Sequence, residues 1–213
     1  MLDLRRYVPG GRVSTGLLGW YGDRLVWAVG QRRYWREDKD RVLVPLIGIG
    51  GGQEGEESLI EAVRREAMEE ANAPIALIGA RRTVWARGGN EASVVDLGAE
   101  LAGEPAPVLI WQQRVRMIGD DGVARELDHI CPVYEAVFGA EPSPGAEIPA
   151  LVFAYPEQTL ALGAAPAPLE AFLAGGACRG GSPPPREALL FLRGSPQHLA
   201  RHWHELERGH PGR

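Results

Sequence analysis

The chain reads as an α/β domain built on a mixed β-sheet. Three observations predict this. Apolar, β-branched and aromatic runs of four to eight residues flank turn signals over most of the length. One strongly amphipathic helical stretch follows a glycine-rich turn near residue 50. Helix-like segments then gather towards the C-terminus.

In order, residues 1–15 form a short arm broken by Pro9-Gly10-Gly11. GLLGWY and RLVWAVG flank Gly22-Asp23, the signature of a β-hairpin. Residues 31–40 are a polar loop, in which Tyr34, Trp35 and nearby arginines are candidates for stacking a base or contacting phosphate. RVLVPLIGIG is a buried strand running into the glycine turn. Residues 75–87 read as one or two strands, and residues 88–107 as irregular or partly helical. Two further strands, 108–118 and 126–138, surround the turn Gly119-Asp120-Asp121-Gly122. A loop over 139–149 precedes the strand ALVFAY, and Pro156 opens a helix-like stretch. Residues 176–185 have a Gly/Pro-rich linker composition, and 186–213 an amphipathic helical pattern. The expected division is therefore a domain over 1–175, a linker over 176–185 and a C-terminal helical extension over 186–213.

The length of 213 residues suffices for a core without staples. A net charge of −5 argues against a general nucleic-acid surface. Lys39 is the single lysine among many arginines. Cys131 sits in an apolar run and reads as a core residue, and Cys178 lies in a glycine-rich stretch. Neither belongs to a zinc or disulfide pattern. No signal-peptide or membrane-spanning pattern is present, so a cytoplasmic protein is the default expectation. His198, His202 and His204 read as the polar face of a surface helix, beside Leu199, Trp203 and Leu206.

The informative stretch is 48–73, GIGGGQEGEESLIEAVRREAMEEANA. Ser58 suits an N-cap and Asn72 the left-handed position that ends a helix, so the helix spans about 59–71. At about 100° per residue, Leu59, Val63, Glu66 and Glu70 share one line, which starts apolar and ends acidic. Glu66 and Glu70 repel at i,i+4, and with Glu69 they crowd the negative end of the helix dipole. Arg65 offsets one charge by pairing with Glu69. Hard oxygens arranged in this way suit a divalent cation such as magnesium.

The same residues form the pattern G-x5-E-x7-R-E-x-x-E-E from Gly51 to Glu70, which resembles the Nudix hydrolase signature. The match departs at Ala67, Asn72 and Ala73, where the family carries an aliphatic residue, glycine and a bulky aliphatic residue. Every motif carboxylate is kept. The resemblance is sharp over 48–73 and rests only on element order over about 15–165. It implies the Nudix fold, an α/β/α sandwich with a mixed, curled β-sheet. It also implies Mg2+-dependent hydrolysis of a nucleoside diphosphate linked to another group, with Mn2+ as a substitute metal. The ligand set implied is Glu57, Glu66, Glu69 and Glu70 with the Gly51 carbonyl. Arg65 orients the carboxylates. The general base is Glu66, Glu69 or Glu147, the last taken with Glu141 from the loop after residue 138. The expected partner is a small nucleotide-type diphosphate, with no membrane and no nucleic acid, and a homodimer is allowed. Relatives that cleave ADP-ribose or NADH carry downstream motifs that this chain lacks, so the substrate is not legible. The alternative is a non-catalytic Nudix-like module that binds a nucleotide and regulates a partner. An isoprenoid diphosphate isomerase is a third reading, without the cysteine motif that would support it.

Overall fold

The computed structural model describes residues 2–88, 91–101, 103–118, 123–173 and 177–209. The chain runs β1 (Arg12–Val13), β2 (Gly16–Tyr21), β3 (Arg24–Val29), β4 (Arg36–Asp38), β5 (Arg41–Ile47), α1 (Leu59–Ala71) and β6 (Ile75–Ile78). It continues through β7 (Thr83–Arg87), β8 (Glu91–Val95), α2 (Gly98–Leu101), β9 (Leu109–Ile118), β10 (Ala124–Phe138) and β11 (Leu151–Ala154). Last come α3 (Pro156–Ala164), β12 (Ala167–Pro168), α4 (Leu169–Leu173), β13 (Ala177–Arg179), β14 (Leu189–Leu192), α5 (Ser195–Arg201) and α6 (Trp203–Gly209).

These strands join one mixed sheet, whose main path is β12–β14–β5–β3–β2–β10–β9–β7–β8. It divides at β3, which gives Arg24–Val26 to β2 but Ala28 and Val29 to β5. It divides again at β10, whose first part pairs with β9 and whose end, Glu135–Phe138, pairs with β6. Alternation along each strand feeds two cores. Leu25, Trp27 and Val29 of β3 enter one, and Val26 and Ala28 enter the other. Leu59, Val63, Ala67 and Ala71 of α1 lie in the second core. Leu162, Phe172, Leu199 and Leu206, from α3, α4, α5 and α6, lie in the first. Ala67 and Ala73 lie in the second core together with the aromatic side chains of Trp85, Tyr134 and Phe153.

The first hairpin forms as expected, with Gly22 at φ 62° in the turn. β9 and β10 pair antiparallel over ten residues each, but the turn Gly119–Gly122 between them lies outside the described residues. Part of the presumed irregular region 88–107 is the edge strand β8 and the one-turn α2.

The tail differs most from its sequence reading. Within the stretch of linker composition, residue 176 lies outside the described residues, while β13 pairs antiparallel with β11. Within the presumed helical extension, β14 pairs in parallel with Leu43–Leu46 of β5. A four-residue apolar run such as LLFL cannot be assigned to strand or helix by periodicity alone, and here the exposed edge of β5 decides it. His198 and His202 are buried rather than on a surface face. His198 stacks on Trp111 with ring centroids 4.9 Å apart, and burial pushes its pKa down to about 4. Both cysteines are free, and Cys131 is in the core as expected.

Candidate active site

The glycine turn is laid along the start of β2. Thr15 N–H donates to Gly51 O at 2.8 Å, and Leu17 N–H donates to Ile49 O at 2.9 Å. Gly50 has φ 144°, and a Cβ there would strike the Thr15 carbonyl, so only glycine fits. At Gly51 a Cβ would occupy the place of the Glu66 carboxylate. The missing side chain is what lets that carboxylate lie against the turn.

Helix α1 starts at a full capping box. Glu61 N–H donates to Ser58 Oγ at 3.2 Å, and Ser58 N–H donates to Glu61 Oε2 at 2.7 Å. The Ser58-x-x-Glu61 spacing carried that signal in the sequence. Asn72 ends the helix at φ 48°, and its side-chain amide donates to Ser143 O and Pro144 O at 3.2 and 3.0 Å.

Arg65 is the hub of the site. Its Nε and Nη2 donate to the two oxygens of Glu57 at 3.2 and 2.8 Å. Nη1 donates to Glu66 Oε1 at 2.9 Å and to Glu69 Oε2 at 2.8 Å, and Nη2 also reaches Gly52 O at 2.8 Å. The expected i,i+4 pair with Glu69 is therefore one of four carboxylate contacts, the fourth being an ion pair with Glu54 at 3.8 Å. The Arg65 fork takes both oxygens of Glu57, and Glu54 N–H adds a third bond at 2.7 Å. The Arg65 hydrogen bond holds the Glu57 carboxyl below the usual range. In this arrangement Glu57 is the anchor of Arg65.

Glu70 accepts from Gly50 N–H at 2.8 Å. Burial, against that hydrogen bond and helped by the charges of Glu66, Glu147 and Glu69, pushes its pKa up to about 7. Among the described residues it has no basic partner. Burial also raises the pKa of Glu66. The side chain of Glu69 is 57% exposed.

The loop after β10 closes the end of α1. Ser143 N–H donates to Ala71 O and Gly145 N–H to Glu70 O, both at 2.9 Å. A Cβ on Gly145 would strike the Glu69 carbonyl. This docking brings Glu147 near enough for its charge to act on Glu70, and Gln31 Nε2 donates to Glu147 Oε2 at 3.3 Å. Glu141, by contrast, forms an ion pair with Arg179. In the loop before β5, Trp35 is pinned inward by its Nε1–H bond to Gly30 O at 2.7 Å, while Tyr34 is exposed.

Among the described residues no three acidic, histidine or cysteine side chains stand ready-made around one point for a metal. The reason is visible: Glu57, Glu66 and Glu69 turn to Arg65, and Glu70 turns to Gly50. The chemistry of the donors still fits a hard divalent ion. Glu66 and Glu70 are half-buried carboxylates at the negative end of a helix, where burial, and after it like charges, drives each pKa upward. The Gly51 carbonyl keeps one lone pair beyond its bond from Thr15.

No model of a known protein family matches the chain, and no curated protein does. Among solved structures it is similar to a Nudix-family hydrolase from Clostridium perfringens. The identity there is 20% over 70% of this chain and 83% of that one, with a TM-score of 0.41. It is also similar to the E. coli ORF135 protein, at 13% identity over 95% and 94% of the two chains, TM-score 0.47. A third is an ADP-ribose pyrophosphatase from Streptococcus suis, at 14% identity over 69% and 75%, TM-score 0.35. Solved structures that bear the Nudix name are among those similar to this chain.

Proposed function

We propose that the chain is a Nudix-type pyrophosphohydrolase that cleaves a nucleoside diphosphate linked to another group, with Mg2+, or Mn2+ in its place. The observation that carries this reading is the clasp of α1 on the glycine turn. It holds Glu66 and Glu70 half-buried and mutually repelling, at a helix end that a purely structural design would fill with lysine or arginine. Glu66, Glu69 and Glu70, with the Gly51 carbonyl, are the groups that would hold the ion. When bound, the ion screens the diphosphate and polarises a phosphoryl oxygen.

The chain's own residues then divide the remaining work. Arg65 Nη1 ties Glu66 and Glu69 to one donor, and Glu57 fixes Arg65. The general base is one of Glu66, Glu69 and Glu147. Glu147 is our choice, because its hydrogen bond comes from the neutral Gln31 amide rather than from Arg65. With α1 over one face of the sheet and α3 to α6 over the other, we read the layers as an α/β/α sandwich.

The test is a panel of dinucleotides, nucleoside diphosphate sugars and nucleoside triphosphates with Mg2+, scored for phosphate or monophosphate release. Release from at least one diphosphate-linked member is expected, and the Glu66→Gln/Glu70→Gln variant should lose it. No release from any member overturns the reading.

A further inference from the structure

A cavity of about 350 Å3 lies between the glycine turn and the start of α5, within the range of small-molecule sites. It touches Gly48–Gly51, so it adjoins the carboxylates of α1. Its deeper wall holds Ser14, Thr15, Trp111, His129, Cys131 and Ser195, contributed by segments far apart in sequence. These groups brace one another. Ser14 Oγ is 2.7 Å from His129 Nε2, and Trp111 Nε1–H donates to Ser195 Oγ at 3.2 Å. The His129 ring stands edge-on to Trp111 at 4.7 Å, and His198 backs the indole. Gly16 and Gly48 leave the room that Ser195 occupies.

Two features of this cavity call for a ligand. First, its outer residues include the exposed Arg116 and Arg193 with Tyr34, and among the described residues no aspartate or glutamate lines it. That is unexpected by charge alone in a protein of net charge −5. Glu126 stands opposite Arg116 across the β9–β10 ladder but is not part of the wall. Second, Thr15 is only 3% exposed, and its Oγ1 has no hydrogen-bond partner among the described residues. A buried hydroxyl in that state costs free energy unless something else satisfies it.

We propose that this cavity is the subsite for the group joined to the diphosphate, and that it selects a group carrying an oxyanion of its own, a phosphate monoester or a carboxylate. Arg116 and Arg193 meet the oxyanion, to which arginine is suited by its paired N–H donors. The Thr15 hydroxyl meets a polar atom of the same group. The inference rests on the reading of the α1 carboxylates as the diphosphate site.

The test is calorimetric binding to the full chain without metal, using pairs that differ by one anionic group. AMP is compared with adenosine 2′,5′- and 3′,5′-bisphosphate, and UDP-glucose with UDP-glucuronate. The first pairs report a phosphate ester and the last a carboxylate. At least one anionic member should bind ~10-fold or more tightly than its partner, the scale of a charge-assisted hydrogen bond or two. The preference should collapse in Arg116→Gln/Arg193→Gln, whose exposed positions leave folding intact, and persist in Glu66→Gln/Glu70→Gln. Thr15→Val, close in shape, should raise the melting temperature of the free protein while weakening the preferred ligand. Equal affinity within every pair, no binding at all, or a preference that the double arginine variant keeps would overturn the proposal. Hydrolysis of diphosphates without anion preference would overturn only this inference. Anion preference without any hydrolysis would overturn only the enzymatic reading.

Discussion

At the scale of single residues, Glu70 shows what the site asks of the fold. In the metal-free chain its carboxyl ionises near pH 7, against about 4.5 when unfolded. The folded state therefore holds the proton more tightly, and stability is lost as pH rises from about 4.5 to about 7. The loss is at most on the order of 3 kcal/mol. Glutamine in its place keeps an acceptor for Gly50 N–H and removes the charge. Metal-free Glu70→Gln should thus melt higher than the wild type at pH 8, with the gap narrowing towards pH 4.5. Saturating Mg2+ should raise the wild type and close the gap, because an ion bound only by the native state stabilises it. Scanning calorimetry at both pH values, with and without Mg2+, gives the sign. Lower melting of the metal-free variant at pH 8 would mean that Glu70 has a structural partner. Arg65→Lys tests the hub in the other direction. Lysine keeps the charge but not the fork that spans Glu57, Glu66 and Glu69. Urea unfolding should show a loss of about 1–3 kcal/mol. The acidic line of Glu66 and Glu70 was legible from helical spacing, because that depends only on local geometry. The reach of Arg65 to Glu57 and Gly52 was not, because it needs the turn folded back on the helix.

At the scale of elements, α1 was readable at both ends for local reasons. Ser58 and Asn72 act within one turn of themselves, and both do so in the structure. The loop that docks on the helix end was not readable, since nothing in residues 139–149 names its partner. Position after the second hairpin brought Glu141 and Glu147 forward and favoured Glu147, and the fold adds a difference between them, the Arg179 pair of Glu141. Gly145 is the contact that sets this docking. Gly145→Ala should push the loop from the Glu69 carbonyl, lower stability by about 1–3 kcal/mol and reduce turnover by carrying Glu147 away. Glu147→Gln leaves the docking intact and should cut turnover by roughly 10²-fold or more if Glu147 is the base. The pair of variants separates geometry from chemistry. A stable Glu147→Gln protein with unchanged turnover moves the base to Glu66 or Glu69. A Gly145→Ala protein with unchanged stability and turnover would mean that the loop does not position the site.

At the scale of the whole molecule, the strand that delivers the glycine turn depends on the end of the chain. β5 is flanked on one side by β3 and β4 and on the other by β14. Arg193 N–H continues the β14 contact to Leu46 O at 2.9 Å. Leu190, Leu192, Leu199 and Leu206 of the tail are buried in the first core. Ser195 also packs against Gly16 and Gly48, on either side of the site. The Gly/Pro-rich composition of 176–185 hid this, because a segment that looks like a linker also suits the two turns either side of a short strand. A detachable extension and an integral edge strand predict opposite results on deletion. If the tail is integral, removing residues 186–213 exposes the β5 edge and opens the first core. Each buried leucine lost to water costs roughly 2–3 kcal/mol, and four of them exceed much of the 5–15 kcal/mol that holds a typical domain together. The truncated chain should therefore lose cooperative thermal unfolding and hydrolysis together, and should expose apolar surface to a hydrophobic dye. A truncated protein that unfolds cooperatively with its melting temperature intact would mean that the sheet from β1 to β13 stands alone, and that β14 is an ornament on its edge.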